Sequence, residues 1–234
     1  MINKAIMFDL DDTLLDRDKA VEVMFSVIVE KCYKNIDMTK IQYNDMLFEF
    51  KKYDNKGYEH KNIVLTSLFD NFPPTFRIPD VEIINFWNGN FPKCSSIDIE
   101  RINIIKKLKE HVKTAIITNG SVKSQRGKIE YTKLDKLFKV ILISDEIGVG
   151  KPDPKIFELA LNKLDVLPKN ALFMGDRLDK DILGCQNAGI RGIWFNPNHL
   201  KNDTDIKPFA EIHDFAEILD YINNKWLFAQ WCKK

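Results

Sequence analysis

Five short apolar runs constrain this chain more than anything else in it: residues 5–8, 114–117, 140–143, 171–174 and 192–195. They are continuous rather than alternating, the pattern of parallel strands covered on both faces. Helical periodicity fills most of the intervals. Ile102, Ile105 and Leu108 precede the second run, and Ile156, Leu159, Ala160 and Leu164 follow Pro154, a suitable first-turn proline. Strands alternating with helices predict a parallel α/β sheet.

One interval breaks the rhythm. Between residues 16 and 96 no convincing strand is found, and the apolar spacing predicts helices: Val21 to Cys32, Ile41 to Tyr53, Ile63 to Phe72 and Val81 to Phe86, punctuated by Pro73, Pro74 and Pro79. Roughly 80 residues exceed an ordinary crossover connection. The expected organisation is an α/β core over 1–15 and 97–234, with a separate helical domain over 16–96. No internal repeat or low-complexity tract is present.

Composition excludes several classes. Hydrophobic residues are 44% and charged residues 29%, the balance of a folded globular chain. Lys plus Arg number 35 against 34 Asp plus Glu, so no global basic field would hold a nucleic acid by its phosphates. No run of about 18 apolar residues predicts a membrane span, and the first apolar run, interrupted by Asp9, is too short for a secretory leader. Cys32, Cys94, Cys185 and Cys232 are scattered with no C-x-x-C pair. That argues against a thiolate zinc site and fits a reducing cytoplasm. The segment from Asn223 to Lys234 carries Trp226, Leu227, Phe228 and Trp231; a terminal helix packing its aromatics on the core is preferred to a membrane-surface helix.

Polar clusters fall where the strands end. Asp9-Leu10-Asp11-Asp12-Thr13 follows the first run, and alternation puts Asp9 and Asp11 on one side. Two neighbouring carboxylates repel and call for positive charge, for which a hard divalent cation such as Mg²⁺ is the natural candidate. Thr118-Asn119-Gly120 ends the second run. Gly150-Lys151-Pro152-Asp153-Pro154 lies beyond the third, and Gly175-Asp176 ends the fourth, with Asp181 five residues after Asp176. Any one of these could be a turn, a cap or a solvated charge. In open α/β sheets, however, ligands bind beyond the carboxyl ends of the strands, so all of them together predict one site.

With these motifs in this order, the chain resembles the haloacid dehalogenase (HAD) superfamily, and most of all its capped small-molecule phosphatases, including the nucleotidase-like branch. The likeness spans residues 9 to 181 and continues in Gln125, Lys128 and Ser144-Asp145-Glu146-Ile147-Gly148. It implies a Rossmann-like core with helices on both faces and an inserted all-helical C1-type cap. It also implies roles. Asp9 is the nucleophile that forms an aspartyl-phosphate, and Asp11 is the acid that protonates the leaving oxygen and then the base for water. Thr118, Asn119 and the adjacent amides bind phosphoryl oxygens, and Lys151 balances their charge. Mg²⁺ would be held by the Asp9 carboxylate, the Asp11 carbonyl and the Asp176 carboxylate, with Asp181 acting through a water or by orienting Lys151.

An acid at position 11 favours C–O–P over C–halogen chemistry, since a halide needs no proton. Arg177 departs from the Ser or Thr usual in the superfamily and is expected to point outward. The expected partner is a small phosphorylated metabolite, with neither nucleic acid nor membrane, for a monomer or homodimer. Arg17, Lys51, Lys52, Lys56, Tyr58, His60 and Lys61 are the candidates for substrate choice in the cap. The alternatives are a phosphomutase with the same two aspartates and a non-catalytic phosphometabolite binder.

Overall fold

The computed structural model describes residues 3–34 and 36–223. They form two compact units, Met1–Asp16 with Ile97–Lys234, and Arg17–Ser96. Among the described residues no helix is long and apolar enough to cross a membrane.

The first unit is built on a six-stranded, wholly parallel sheet in the order β3-β2-β1-β4-β5-β6. The strands are β1 (Ala5–Phe8), β2 (Lys113–Thr118), β3 (Val140–Ile143), β4 (Ala171–Gly175), β5 (Arg191–Phe195) and β6 (Ala210–Ile212). Strand alternation explains the unbroken apolar runs. Ile6 and Phe8 pack on one face with Ile116, Leu172, Met174, Ile193 and Phe215, whereas Ala5 and Met7 pack on the other with Ala115, Ile117, Phe157 and Phe173. Neither face of β1 meets water, so neither tolerates a polar residue. The chain builds outward from β1 to β3, then returns to the other side of β1 for β4. Central β1 is therefore the switch point at which the flanking loops separate and leave a crevice.

The helices of this unit obey local rules. α5 (Ile99–Lys109) is capped by Asp98, whose side chain accepts from the Arg101 N–H. α6 (Val122–Tyr131) is capped by Ser121. α7 (Ser144–Ile147) is a single turn closed by Gly148. α8 (Pro154–Leu164) has Asp153 as its cap and Pro154 in its first turn. α9 (Leu183–Asn187) and α10 (Asp220–Asn223) are short.

The second unit is all-helical: α1 (Arg17–Cys32), α2 (Lys40–Asp54), α3 (Lys61–Asn71) and α4 (Asp80–Cys94). Its own core gathers Phe25, Phe50, Val64, Leu68, Ile83, Trp87 and Phe91. Asp54 is almost completely buried there, 2.7 Å from Arg17 and 2.6 Å from Lys61. The guanidinium of Arg17 lies over Phe91 and the ammonium of Lys61 over Trp87.

Three sequence expectations change. β6 was not expected: its three residues, one of them Glu211, carry no strand signal and are ordered by pairing with β5. α4 runs eight residues past Phe86, because burying Trp87 and Phe91 outweighs the weak helix propensity of Asn88, Gly89 and Asn90. The boundary between the units falls after Asp16 rather than before it. The expected terminal aromatic helix lies, apart from Asn223, outside the described residues. Cys32, Cys94 and Cys185 are free and buried.

Candidate active site

The end of β1 carries the site. Phe8 pairs with Ile116 of β2 and Met174 of β4, and the Asp9 N–H donates to the Met174 carbonyl at 2.9 Å, so Asp9 is held as rigidly as the strands themselves. Beyond it the chain turns through Asp12, at φ 55°, a left-handed conformation that Asp tolerates. The Leu14 and Leu15 N–H groups both return to the Leu10 carbonyl. Leu10, Leu14 and Leu15 are fully buried, which anchors the acidic turn to the core.

Lys151 reaches this strand end from the loop after α7. Its ammonium is buried, 2.6 Å from Asp9 Oδ1 and 2.7 Å from Asp181 Oδ1. Asn119 fixes the lysine's main chain: its amide donates to the Lys151 carbonyl at 2.7 Å, and its oxygen accepts the Lys151 N–H at 2.8 Å. Both polar atoms of that side chain are thereby committed.

Asp181 arrives by a wide helical turn over Leu178–Ile182, in which the Ile182 N–H bonds five residues back to Arg177. Asp181 Oδ2 accepts the Arg177 N–H at 2.9 Å. Its carboxylate lies so close to Gly175 that a Cβ there would meet it at 2.4 Å, which requires glycine at the end of β4. The Arg177 guanidinium pairs with the Asp179 carboxylate at 3.0 Å within the same turn, so its charge is matched locally.

Asp9, Asp176 and Asp181 can bring one carboxylate oxygen each within 4.8 Å of one another. Burial pushes the Asp9 carboxyl up to about 7; Lys151 opposes that shift, and Asp181 adds to it. Burial also drives Asp176 up to about 9, reinforced by the charges of Asp9 and Asp181. Burial works against the charge of Lys151, but Asp181 and Asp9 outweigh it and raise its affinity for a proton. Three carboxylates facing one lysine leave a shortfall of positive charge, and all the donor atoms are hard oxygens. This set fits Mg²⁺, with Asp9 and Asp176 as the direct carboxylate ligands expected from the sequence.

Asp11 is served separately. Its carboxylate accepts from Lys128 Nζ at 2.7 and 2.9 Å and from Gln125 Nε2 at 3.0 Å. Gln125 Nε2 also donates to Thr118 Oγ1 at 2.6 Å. Gln125, Lys128 and Thr118 are all buried. The sequence reading assigned no role to Gln125 or Lys128. The signal was available: two polar residues three apart on α6, on the face that Ile129 also buries, straight after the Thr118 motif.

Of the cap candidates, Arg17 and Lys61 pair with Asp54, Lys51 with Asp18 and Glu22, and Lys52 with Glu49. Lys56, Tyr58 and His60 are exposed.

Residues 6–195 match the model of the haloacid dehalogenase-like hydrolase family. The chain is 32% identical to glyceraldehyde 3-phosphate phosphatase of Pyrococcus furiosus over 95% of its own length and 94% of that protein's. It is 27% identical to pyrimidine 5'-nucleotidase PynA of Streptococcus pneumoniae over 97% and 98%. Among solved structures, the magnesium-bound HAD-hydrolase YfnB of Bacillus subtilis superposes with a TM-score of 0.75 at 23% identity, covering 95% of this chain and 100% of that one.

Proposed function

The chain belongs to the haloacid dehalogenase-like hydrolase family, and from that premise we propose an Mg²⁺-dependent phosphatase that cleaves a small-molecule phosphomonoester through an aspartyl-phosphate. That it is a phosphoric monoester hydrolase follows from relatives named as phosphatases and nucleotidases along nearly its whole length. The two names share a phosphomonoester on a small metabolite, and this is the substrate class proposed. The observation that carries the covalent mechanism is Asp9: a carboxylate rigid at a central strand end, 2.6 Å from a buried lysine, with a second acid two residues on.

In the first half-reaction an Asp9 oxygen attacks phosphorus and the bond from phosphorus to the leaving oxygen breaks. The electron pair stays on that oxygen, which takes the proton of Asp11. In the second, water attacks the phosphoryl group and gives its proton to Asp11, and the bond to Asp9 breaks. The products are orthophosphate, free Asp9 and a reprotonated Asp11. Lys151 and Thr118 would bind the equatorial oxygens as their charge spreads. Mg²⁺, when held by Asp9, Asp176 and the Asp11 carbonyl, would supply Lewis acidity and neutralise the phosphoryl charge. The helical insert is proposed as the C1-type cap that confers substrate choice.

Asp9→Asn tests the core of this reading. The amide is nearly isosteric but cannot attack, so orthophosphate release from a metabolite panel should fall at least about a thousandfold while the protein stays folded by circular dichroism. Turnover near that of the unaltered protein would refute the covalent route. A phosphomutase would instead return the phosphoryl group to its product without releasing stoichiometric phosphate.

A further inference from the structure

We propose that Lys128 and Gln125 are positioning residues that clamp the Asp11 carboxyl group and tie it to the phosphate-binding Thr118. This rests on the reading of Asp11 as the acid and base of a phosphatase. Three of the donor contacts to Asp11 come from one face of α6: two from Lys128 Nζ and one from Gln125 Nε2. Even on an anchored turn an aspartate carboxylate can rotate about two side-chain bonds, and such freedom misdirects proton transfer. Donors fixed to a helix remove it. Both are held firmly, with Gln125 2% and Lys128 3% exposed.

Gln125 does more than hold Asp11. Its amide nitrogen has two hydrogens; one direction serves Asp11 Oδ2 at 3.0 Å, the other Thr118 Oγ1 at 2.6 Å. A hydroxyl that accepts so short a bond keeps its own hydrogen to donate. Thr118 is thus set as a donor, the polarity that an anionic phosphoryl oxygen needs. The residue that turns Thr118 toward phosphate is therefore the one that aims Asp11 at the leaving oxygen. The loop allows this approach because Gly120, at φ 137°, has no Cβ; one there would come within 3.1 Å of the Gln125 side chain.

What the clamp determines is the position of the carboxyl group, so its loss should follow the leaving group. For kcat/KM, which reports the phosphorylation step, Lys128→Met should slow an alkyl phosphate by about a hundredfold. p-Nitrophenyl phosphate, whose leaving oxygen needs little protonation, should slow less than about fivefold. Lys128→Arg should recover most of the alkyl rate. Gln125→Leu should show the same split and also weaken inhibition by inorganic phosphate, since Thr118 is then no longer held as a donor. It carries the test by itself should Lys128→Met fail to fold. Asp11→Asn is the reference. If Asp11→Asn discriminates between the substrates and the folded Lys128 and Gln125 variants do not, the clamp is wrong. If Asp11→Asn itself slows both equally, Asp11 is not the acid, and the clamp falls with it.

Discussion

Asp9 and Asp176 are carboxylates in places where a carboxylate is costly. Asp9 is buried and Asp176 half-buried, and each is pushed toward its protonated form by burial and by its acidic neighbours. Such a cluster stores unfavourable charge that a cation would relieve. Binding should therefore stabilise the fold as well as activate it, because a ligand that meets only the native state adds about 2.7 kcal/mol at a hundred times its Kd. Mg²⁺ is expected to raise the melting temperature of the protein stripped with EDTA and to restore phosphate release. Ca²⁺, with longer and looser coordination, should restore less than about a tenth of the activity. Asp176→Asn should lose the Mg²⁺-dependent thermal shift. Full activity in chelator, or an unchanged shift in that variant, would remove Asp176 from the metal site.

The elements show why some of the site could be read from sequence and some could not. Asp9, Thr118 and Asp176 each close or follow an apolar run, so the chain itself marks them as strand-exit residues, and parallel topology then requires them to meet. Lys151 was legible only as part of its loop motif, for nothing local announces that Asn119 grips its main chain from both sides. Asp181 was expected in a supporting role, but its approach through a wide turn with five-residue hydrogen bonding has no periodic signature. Gln125 and Lys128 share the buried face of α6 with Ile129, a placement their spacing signals, but the acid they serve comes into view only with the fold. β6 is legible only from its neighbour. The turn that carries Asp181 also makes a sharp prediction. In Gly175→Ala the new methyl would sit 2.4 Å from the Asp181 carboxylate, so Asp181 must move and Lys151 loses one of its two acids. We expect kcat to fall by about a hundredfold while the sheet remains folded. A kcat within about twofold of the unaltered protein would mean that the turn yields without disturbing Lys151.

At the scale of the whole molecule, two units with separate apolar cores should behave as two cooperative units, and the insert has a specific weak point. Asp54 is 2% exposed and is held by Arg17 and Lys61, at 12% and 17%. Burial pushes its carboxyl up, but the two cations together outweigh burial and hold it below the ordinary value. A group whose pKa is depressed on folding contributes stability that is fully present above its unfolded pKa, and that contribution disappears as pH falls through the lower folded value. The insert should therefore hold at neutral pH and weaken below about pH 4. Asp54→Asn takes the buried carboxylate away from two half-buried cations, a loss of about 2 kcal/mol. Hydrogen exchange at neutral pH should then quicken across residues 17–96, while the amides of β1 and β4 keep their protection. Acidification should add less to the exchange of the variant insert than to that of the unaltered one, because the charge whose loss drives the change is already gone. Equal acceleration in β1 and β4 would show instead that the chain unfolds as one unit and that the two cores are not energetically separate.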